Sequence, residues 1–321
     1  MTSLPLSTPT NEIESQCDMN KIISLLICAS LLLQACTKPT KELSVKEFQI
    51  ALKPNKNVKG QREDEKTLGI ELSKRLGVPV NIITPSSKSI IEAGMAKKTL
   101  DMGYVSSTDA ISFADNNVAE VLVAGQHKST DPKGNAYEGA YYYSVWLSLK
   151  EKNYSSIADL KGKPVAFASR TSTSGFLVPS WDLIKKGLLS EGDRLEDFFG
   201  KDNIFYGSGY VSAVEKVLEG KAEAAAVSYY VYEKDKHLDL EQRKKLKIVQ
   251  RQGPVASHTF CVRKSLNETD RLALKRVLLA MVEEKPQLCE DLFGGKLVEV
   301  DPIEHLKAPR DAKAKVSTLK D

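Results

Sequence analysis

Cysteine and histidine are scarce in this chain, with five Cys and four His among 321 residues. His127, His237, His258 and His305 are isolated from one another, and no two cysteines stand at metal-ligand spacing, so no zinc site is legible. An excess of one charge is missing too. Forty-six Lys and Arg face 42 Asp and Glu, a net charge of +4, and the lysines are spread along the chain rather than gathered in a block. Without a basic stripe or a reading motif, a nucleic-acid partner is excluded. The apolar run at 22–35, IISLLICASLLLQA, falls short of the roughly 20 residues a membrane-spanning helix takes. Tandem repeats and low-complexity stretches are absent. So are a Gly-x-Ser-x-Gly elbow and a His or Lys placed by motif beside a serine, which argues against an enzyme. What remains is a soluble composition, 41% hydrophobic and 27% charged. Its length suggests about two domains, since single cores stop growing beyond roughly 250–300 residues.

The short apolar run is preceded by Lys21 and followed by Leu33-Gln34-Ala35-Cys36, which resembles the lipobox of bacterial lipoproteins. On this reading residues 1–35 are a signal peptide, with Met19 standing where its true start would fall. Cys36 carries lipid, and residues 36–44 tether the protein to the outer face of a bacterial membrane. One lipidated Cys anchors a protein without spanning the bilayer. Cys17, Cys28 and Cys36 are thereby accounted for. Cys261 and Cys289 are left as two buried thiols, with a bridge between them the alternative in an oxidising compartment.

Downstream the sequence alternates strand-like and helix-like segments. Phe48–Leu52 reads as a strand, and the helix from Glu63 places Leu68, Leu72 and Leu76 four apart before a capping Gly77. Val78–Ile83, Asp101–Val105 and Val118–Val123 follow as strands separated by helices. Tyr141–Leu149, Pro164–Ala168, Asn203–Tyr206 and Ala224–Val227 continue the pattern, and Asn267 caps a long amphipathic helix. Strands separated by helices mean βαβ units and an α/β protein. Two modules, the second inserted within the first, predict lobe 1 from residues 45–143 plus 254–321 and lobe 2 from 144–253. Their sheets would be mostly parallel and flanked by helices, with a cleft between lobes. Ligands of such sheets bind outside the carboxyl ends of the strands. The polar, Lys-rich residues 306–321 read as a solvated end.

The most informative stretch is Ala168-Ser169-Arg170-Thr171-Ser172-Thr173-Ser174-Gly175, where a strand ends, hydroxylated residues follow and a helix begins. Free amides and the positive end of the helix dipole converge at such a start, and three hydroxyls in a row suit a tetrahedral oxyanion. Gly207-Ser208-Gly209-Tyr210 mimics a dinucleotide fingerprint but lacks its third Gly and the later acidic residue. A tight turn presenting Tyr210 to the cleft is the better account. Tyr141-Tyr142-Tyr143 reads as hinge and core packing, His258 as a structural histidine, and Glu92 and Asp109 as surface or capping carboxylates.

The run SIADLKGKPVAF, STSGFLVP, DFFG and GSGYVSAVEKVLEGKAEAAAVSYYVYE resembles the substrate-binding lipoproteins of phosphate, phosphite and phosphonate ABC transporters. The resemblance extends more loosely from about Lys46 to about Val282. It implies the two-lobed type II periplasmic-binding-protein fold and gives Ser172, Thr173, Ser174 and Gly175 the role of holding the phosphonyl group. Several positions depart from the family pattern. Ser86 and Ser87 replace an Asp-Tyr pair, Ser106-Ser107-Thr108-Asp109-Ala110 replaces a Gly-Pro-x-x-Tyr loop, and Ser169-Arg170 replaces an Asp-Pro. Tyr210 stands for a His, and Ser228 for the carboxylate that meets an ammonium. These changes argue against a cationic aminoalkyl tail. They make Ser87, Ser106, Ser107, Tyr210 and Ser228 candidate ligand-binding residues for a small hydrated oxyanion or polar phosphoester. The resemblance also implies permease and ATPase partners, a monomeric receptor, no cofactor and no metal. A sensor of another small anion, feeding a signalling partner, is the alternative.

Overall fold

A computed structural model describes residues 43–53, 58–85, 87–234 and 237–320. The expected signal peptide, Cys36, most of the tether and Ser86 lie outside the described residues. From Ser44 onward the chain forms one compact unit.

Three βα steps open it: β1 (Phe48–Ala51), α1 (Val58–Leu76), β2 (Val80–Ile83), α2 (Lys88–Ala96), β3 (Met102–Val105) and α3 (Ser107–Asp115). Strand β4 (Ala119–Gly125) then leads to a separate antiparallel hairpin of β5 (His127–Thr130) and β6 (Ala136–Gly139), which the sequence did not announce because its residues are short-stranded and polar. The middle third holds β7 (Tyr141–Leu149), β8 (Val165–Phe167), α4 (Val178–Lys185), α5 (Leu195–Phe199), β9 (Ile204–Tyr206), α6 (Tyr210–Leu218), β10 (Ala224–Ser228), α7 (Tyr230–Glu233), α8 (Leu240–Lys244) and β11 (Leu246–Ala256). The chain returns through β12 (Thr259–Arg263), α9 (Glu268–Glu284), α10 (Pro286–Phe293), β13 (Leu297–Val298) and α11 (Pro302–Val316).

One sheet has the order β13-β4-β12-β3-β1-β2, the other β11-β7-β10-β8-β9. The expected βαβ units appear as parallel pairings in β2-β1-β3 and in β10-β8-β9. Antiparallel strands complete both sheets, and they include the segments that carry the chain from one sheet to the other. The second sheet is buried on both faces. Along β10, Ala224 and Ala226 enter one core cluster while Ala225 and Val227 enter the other, the period-2 alternation of a strand covered on both sides. Small side chains there let helices approach both faces.

Leu68 and Leu72 of α1 are fully buried, and the helix stops at Gly77, whose φ of +72° and N–H bond to the Ser73 carbonyl (2.9 Å) make the expected left-handed cap. Asn267 caps α9 by accepting the Asp270 amide at 2.8 Å. In the first sheet Asp101 accepts both the Gln49 amide (2.8 Å) and the Arg263 guanidinium (2.8 Å), tying β1, β3 and β12 together in a nearly dry site.

The C-terminal residues are part of the fold, which corrects the expectation of a solvated end. Helix α11 buries Leu306, Pro309 and Ala312, three residues apart, and points its lysines outward. Leu306 joins the core of the first sheet, and Leu319 packs against the core of the second. Arg310 pairs with Asp115 of α3 at 2.6 Å, and Lys315 with Glu191, which precedes α5, also at 2.6 Å.

Candidate oxyanion site between the sheets

Strand β8, buried along its length, delivers the chain to Ala168 at the carboxyl end of the second sheet. The next helix opens as a wide π turn, Thr173–Leu177, that runs directly into α4. Ser172 caps it, its Oγ accepting the Gly175 amide at 3.0 Å. Gly175 is required here by close approach. A Cβ at this position would lie 2.4 Å from the Ala168 Cβ and 2.9 Å from the Ser172 Oγ. The Ala168 amide bonds to the Gly175 carbonyl at 3.0 Å, so the turn folds back onto the strand that feeds it.

Ser174 is the centre of a buried hydroxyl network. Its Oγ lies 2.7 Å from the Tyr210 hydroxyl and accepts the Tyr142 hydroxyl at 3.3 Å. Its carbonyl accepts the Ser144 hydroxyl at 2.6 Å, and Ser144 Oγ in turn accepts the Gln252 side-chain amide at 2.8 Å. Ser144 sits opposite both Ser228 on β10 and Gln252 on β11, so three adjacent strands carry polar side chains at one level under the turn. A buried network of this kind fixes one geometry when its members are satisfied.

Across the gap, Thr108 at the start of α3 places its Oγ1 2.6 Å from Thr173 Oγ1, a direct hydroxyl contact between elements of the two sheets. Next to it the Ser107 hydroxyl is buried with no hydrogen-bond partner among the described residues. Ser228 Oγ is in the same position. It lies beside the Tyr230 phenol without hydrogen-bond geometry to it. Gln252 Oε1 is also buried and unpartnered. Buried polar atoms are nearly always bonded to something, so these unpartnered groups make the surroundings of the capped turn a candidate ligand site.

The electrostatics are those of neutral dipoles. Burial drives the Tyr142 and Tyr230 phenols well above the ordinary tyrosine range, so both stay protonated donors. Behind them His127 Nδ1 lies 3.0 Å from the Tyr229 hydroxyl, and burial, then the nearby Lys234 charge, push its imidazole down to about 4. It is neutral at physiological pH.

Of the residues singled out from sequence, Ser174 and Tyr210 meet directly, Thr173 meets Thr108 across the gap, Ser172 and Gly175 shape the turn, Ser107 precedes Thr108, and Ser228 lies opposite Ser144. Ser106 Oγ donates to the Asp109 carboxylate at 2.5 Å in a capping box at the start of α3. Ser87 is exposed and shares a 2.9 Å hydroxyl contact with Ser89. Sequence reasoning passed over Ser144 and Gln252, and assigned Tyr142 to hinge and core. The signal for Ser144 was a serine interrupting the apolar run Tyr141–Leu149. Cys261 and Cys289 are free and buried, their thiols pushed up to about 12 and about 11 by burial. Among the described residues no group of His, Cys, Asp or Glu could hold a metal, and no helix is long and apolar enough to cross a membrane.

Two sheets of this order, joined by crossing strands, make the two-lobed fold of the type II periplasmic class. Residues 50–304 match the model of the phosphonate ABC transporter periplasmic substrate-binding protein family, and the chain belongs to that family. It is 25% identical over 211 residues to the phosphate-import protein PhnD of Mycolicibacterium smegmatis, covering 64% of each chain. It is 24% identical over 206 residues to the phosphonates-binding periplasmic protein of Escherichia coli, covering 63% of this chain and 56% of that one. The matched stretches therefore span less than two thirds of these relatives. In fold it is similar to PhnD1 of Prochlorococcus marinus, solved in complex with methylphosphonate. That TM-score is 0.69 at 20% identity, over 85% of this chain and 99% of that one.

Proposed function

We propose that this protein is an extracytoplasmic solute-binding lipoprotein that closes on a phosphorus oxyanion (phosphate, phosphite or a phosphonate) and delivers it to an ABC permease and its ATPase. The observation that carries the reading is the capped turn Ser172–Gly175, with the orphaned hydroxyls of Ser107 and Ser228 on either side of it. The first amides of a helix have no intrahelical acceptor. Together with Thr173, Ser174 and Tyr210 they offer neutral donors in a dry site, which favours a compact anion over water without a buried countercharge. Residues 45–143 plus 254–321 form one lobe and 144–253 the other. The protein acts as a monomer, releases its ligand unchanged, and is held at the membrane by Cys36. Family membership and the relatives' names support this reading.

The test is thermal unfolding of the purified protein with phosphate, phosphite, methylphosphonate and sulfate. A ligand that binds only the folded state adds about 2.7 kcal/mol at 100 times its dissociation constant. Stabilisation by a phosphorus oxyanion and not by sulfate is expected. Thr173→Ala and Ser174→Ala should each weaken it about tenfold, the loss of one hydrogen bond to a charged group. Unchanged affinity in both variants would remove the site assignment. Cys36→Ala should leave binding intact and release the protein from membranes in fractionation.

A further inference from the structure

The hydrogen bonds that reach the capped turn from β11 all run in one direction. The Ser174 carbonyl can only accept, so it takes the Ser144 proton at 2.6 Å and leaves Ser144 Oγ to accept in its turn. Gln252 must therefore present its NH2 end to Ser144, at 2.8 Å, which fixes the orientation of an amide whose two ends are otherwise alike. The Ser174 carbonyl and the Gly175 amide belong to one conjugated peptide group, and that amide donates to Ser172 Oγ at 3.0 Å. Ser172 accepts there, so its own proton is the last in the line. Gln252, Ser144, the Ser174–Gly175 peptide and Ser172 form a chain of donors aligned head to tail, and bonds so aligned polarise one another.

The chain is dry and it carries a cost. Ser144 and Ser174 are fully buried and Gln252 is 2% exposed. The orientation that serves Ser144 leaves Gln252 Oε1 buried without a partner, and an unsatisfied buried acceptor destabilises a fold. A methionine fills nearly the same volume and strands no oxygen, so packing alone would favour it over glutamine here. Gln252 is also the last residue of β11 to pair with β7 before an extra residue shifts the register ahead of Val255. Such a bulge is where a strand re-aims its side chains. A local rule broken at one residue beside a candidate site is expected where function, not stability, sets that residue.

We infer that Gln252 and Ser144 are positioning residues for anion binding, acting through the Ser174–Gly175 peptide to make the Ser172 hydroxyl a fixed and strengthened donor. The inference rests on the oxyanion reading of Ser172–Gly175. Neither residue needs to touch the anion. An oxygen that accepts from Ser172 meets a proton backed by the whole chain, in a site where water does not damp the aligned dipoles. Because Ser172 comes to the ligand as a donor, the oxygen it meets is an unprotonated one.

The experiment is calorimetric titration of the purified protein with methylphosphonate, phosphite and inorganic phosphate, paired with urea unfolding in the absence of ligand. It compares the wild type with Gln252→Met, Ser144→Ala and the double variant. Gln252→Met should weaken the tightest-binding of the three probes about threefold or more, within the range over which residues without ligand contact modulate binding. Its urea midpoint should stay the same or rise, since the orphaned oxygen is gone. Ser144→Ala should weaken binding at least as much and lower the midpoint, because it strands the Ser174 carbonyl and the Gln252 amide together. In the double variant affinity should fall no further than in Ser144→Ala, as for two members of one chain. Unchanged affinity in Gln252→Met, affinity and midpoint falling together in that variant, or losses that add in the double variant would overturn the positioning role and leave the oxyanion site standing. If Ser144→Ala fails to fold, Gln252→Met decides alone. If the wild type binds none of the three probes, the oxyanion reading falls and the positioning role with it.

Discussion

At the scale of single residues, the buried ion pair of Arg263 with Asp101 makes a sharp stability prediction. Both side chains are about nine-tenths buried, and Asp101 also holds the Gln49 amide. Arg263→Met would strand a desolvated carboxylate, a loss of about 3–5 kcal/mol readable by urea unfolding. Asp101→Asn paired with Arg263→Met should recover part of it, and failure to recover would mean that packing, not charge, dominates the site. His127 gives a pH dependence. Its folded imidazole titrates at about 4 and its unfolded one near 6.5, so the unfolded chain binds the extra proton between those values. Its contribution to stability is therefore complete above about pH 6.5 and is lost as pH falls toward 4. His305, also lowered by burial, acts in the same sense. Urea midpoints should fall from pH 7 to pH 4.5, and His127→Asn should flatten that slope. An equally steep slope in the variant would assign it elsewhere.

At the scale of elements, what was legible in the sequence followed periodicity, and what was missed lacked it. The βα steps stood out because Leu68 and Leu72, or Val145 and Leu147, repeat with the period of their element and end in the core. The capped turn Ser172–Gly175 was legible because hydroxyl residues cluster where a strand gives way to a helix. The β5–β6 hairpin escaped because residues such as Lys128, Ser129 and Glu138 show no apolar face. Helix α11 escaped because its apolar stripe is one residue wide in a Lys-rich segment, and a wider stripe is what marks a core-facing helix. Ser144 and Gln252 could not be paired from sequence, since their contact depends on the register of β7 against β11. The C-terminal helix carries its own prediction. Leu306 is 3% exposed, and Leu306→Ala should cost roughly 2–5 kcal/mol in a urea titration. A truly solvated tail would show no change.

At the scale of the whole molecule, the lobes meet through hydroxyls and through ion pairs, among them Lys315 with Glu191 and Lys234 with Glu290. The Thr108 and Thr173 hydroxyls touch directly, and His127 of the β5–β6 hairpin reaches Tyr229 at the end of β10. Small-angle scattering should therefore depend on salt, which screens those ion pairs, as well as on Thr108. Thr108→Val is expected to raise the radius of gyration without ligand and to match the wild type at saturating methylphosphonate. No difference in either condition would show that the contact does not govern closure. Two-lobed receptors open by bending a few residues at the crossings between lobes.

The helix that seats Leu306 in one core and sends Leu319 into the other adds a constraint to that motion. Spreading the lobes must unseat one leucine or bend the segment between them, so this fold carries a spring across the gap between its sheets. On the proposed function, an oxyanion held behind that spring would leave slowly when the molecule is alone. The work of opening would then fall to the proposed permease, and the rate of unloading would be set there rather than by chance fluctuation in solution.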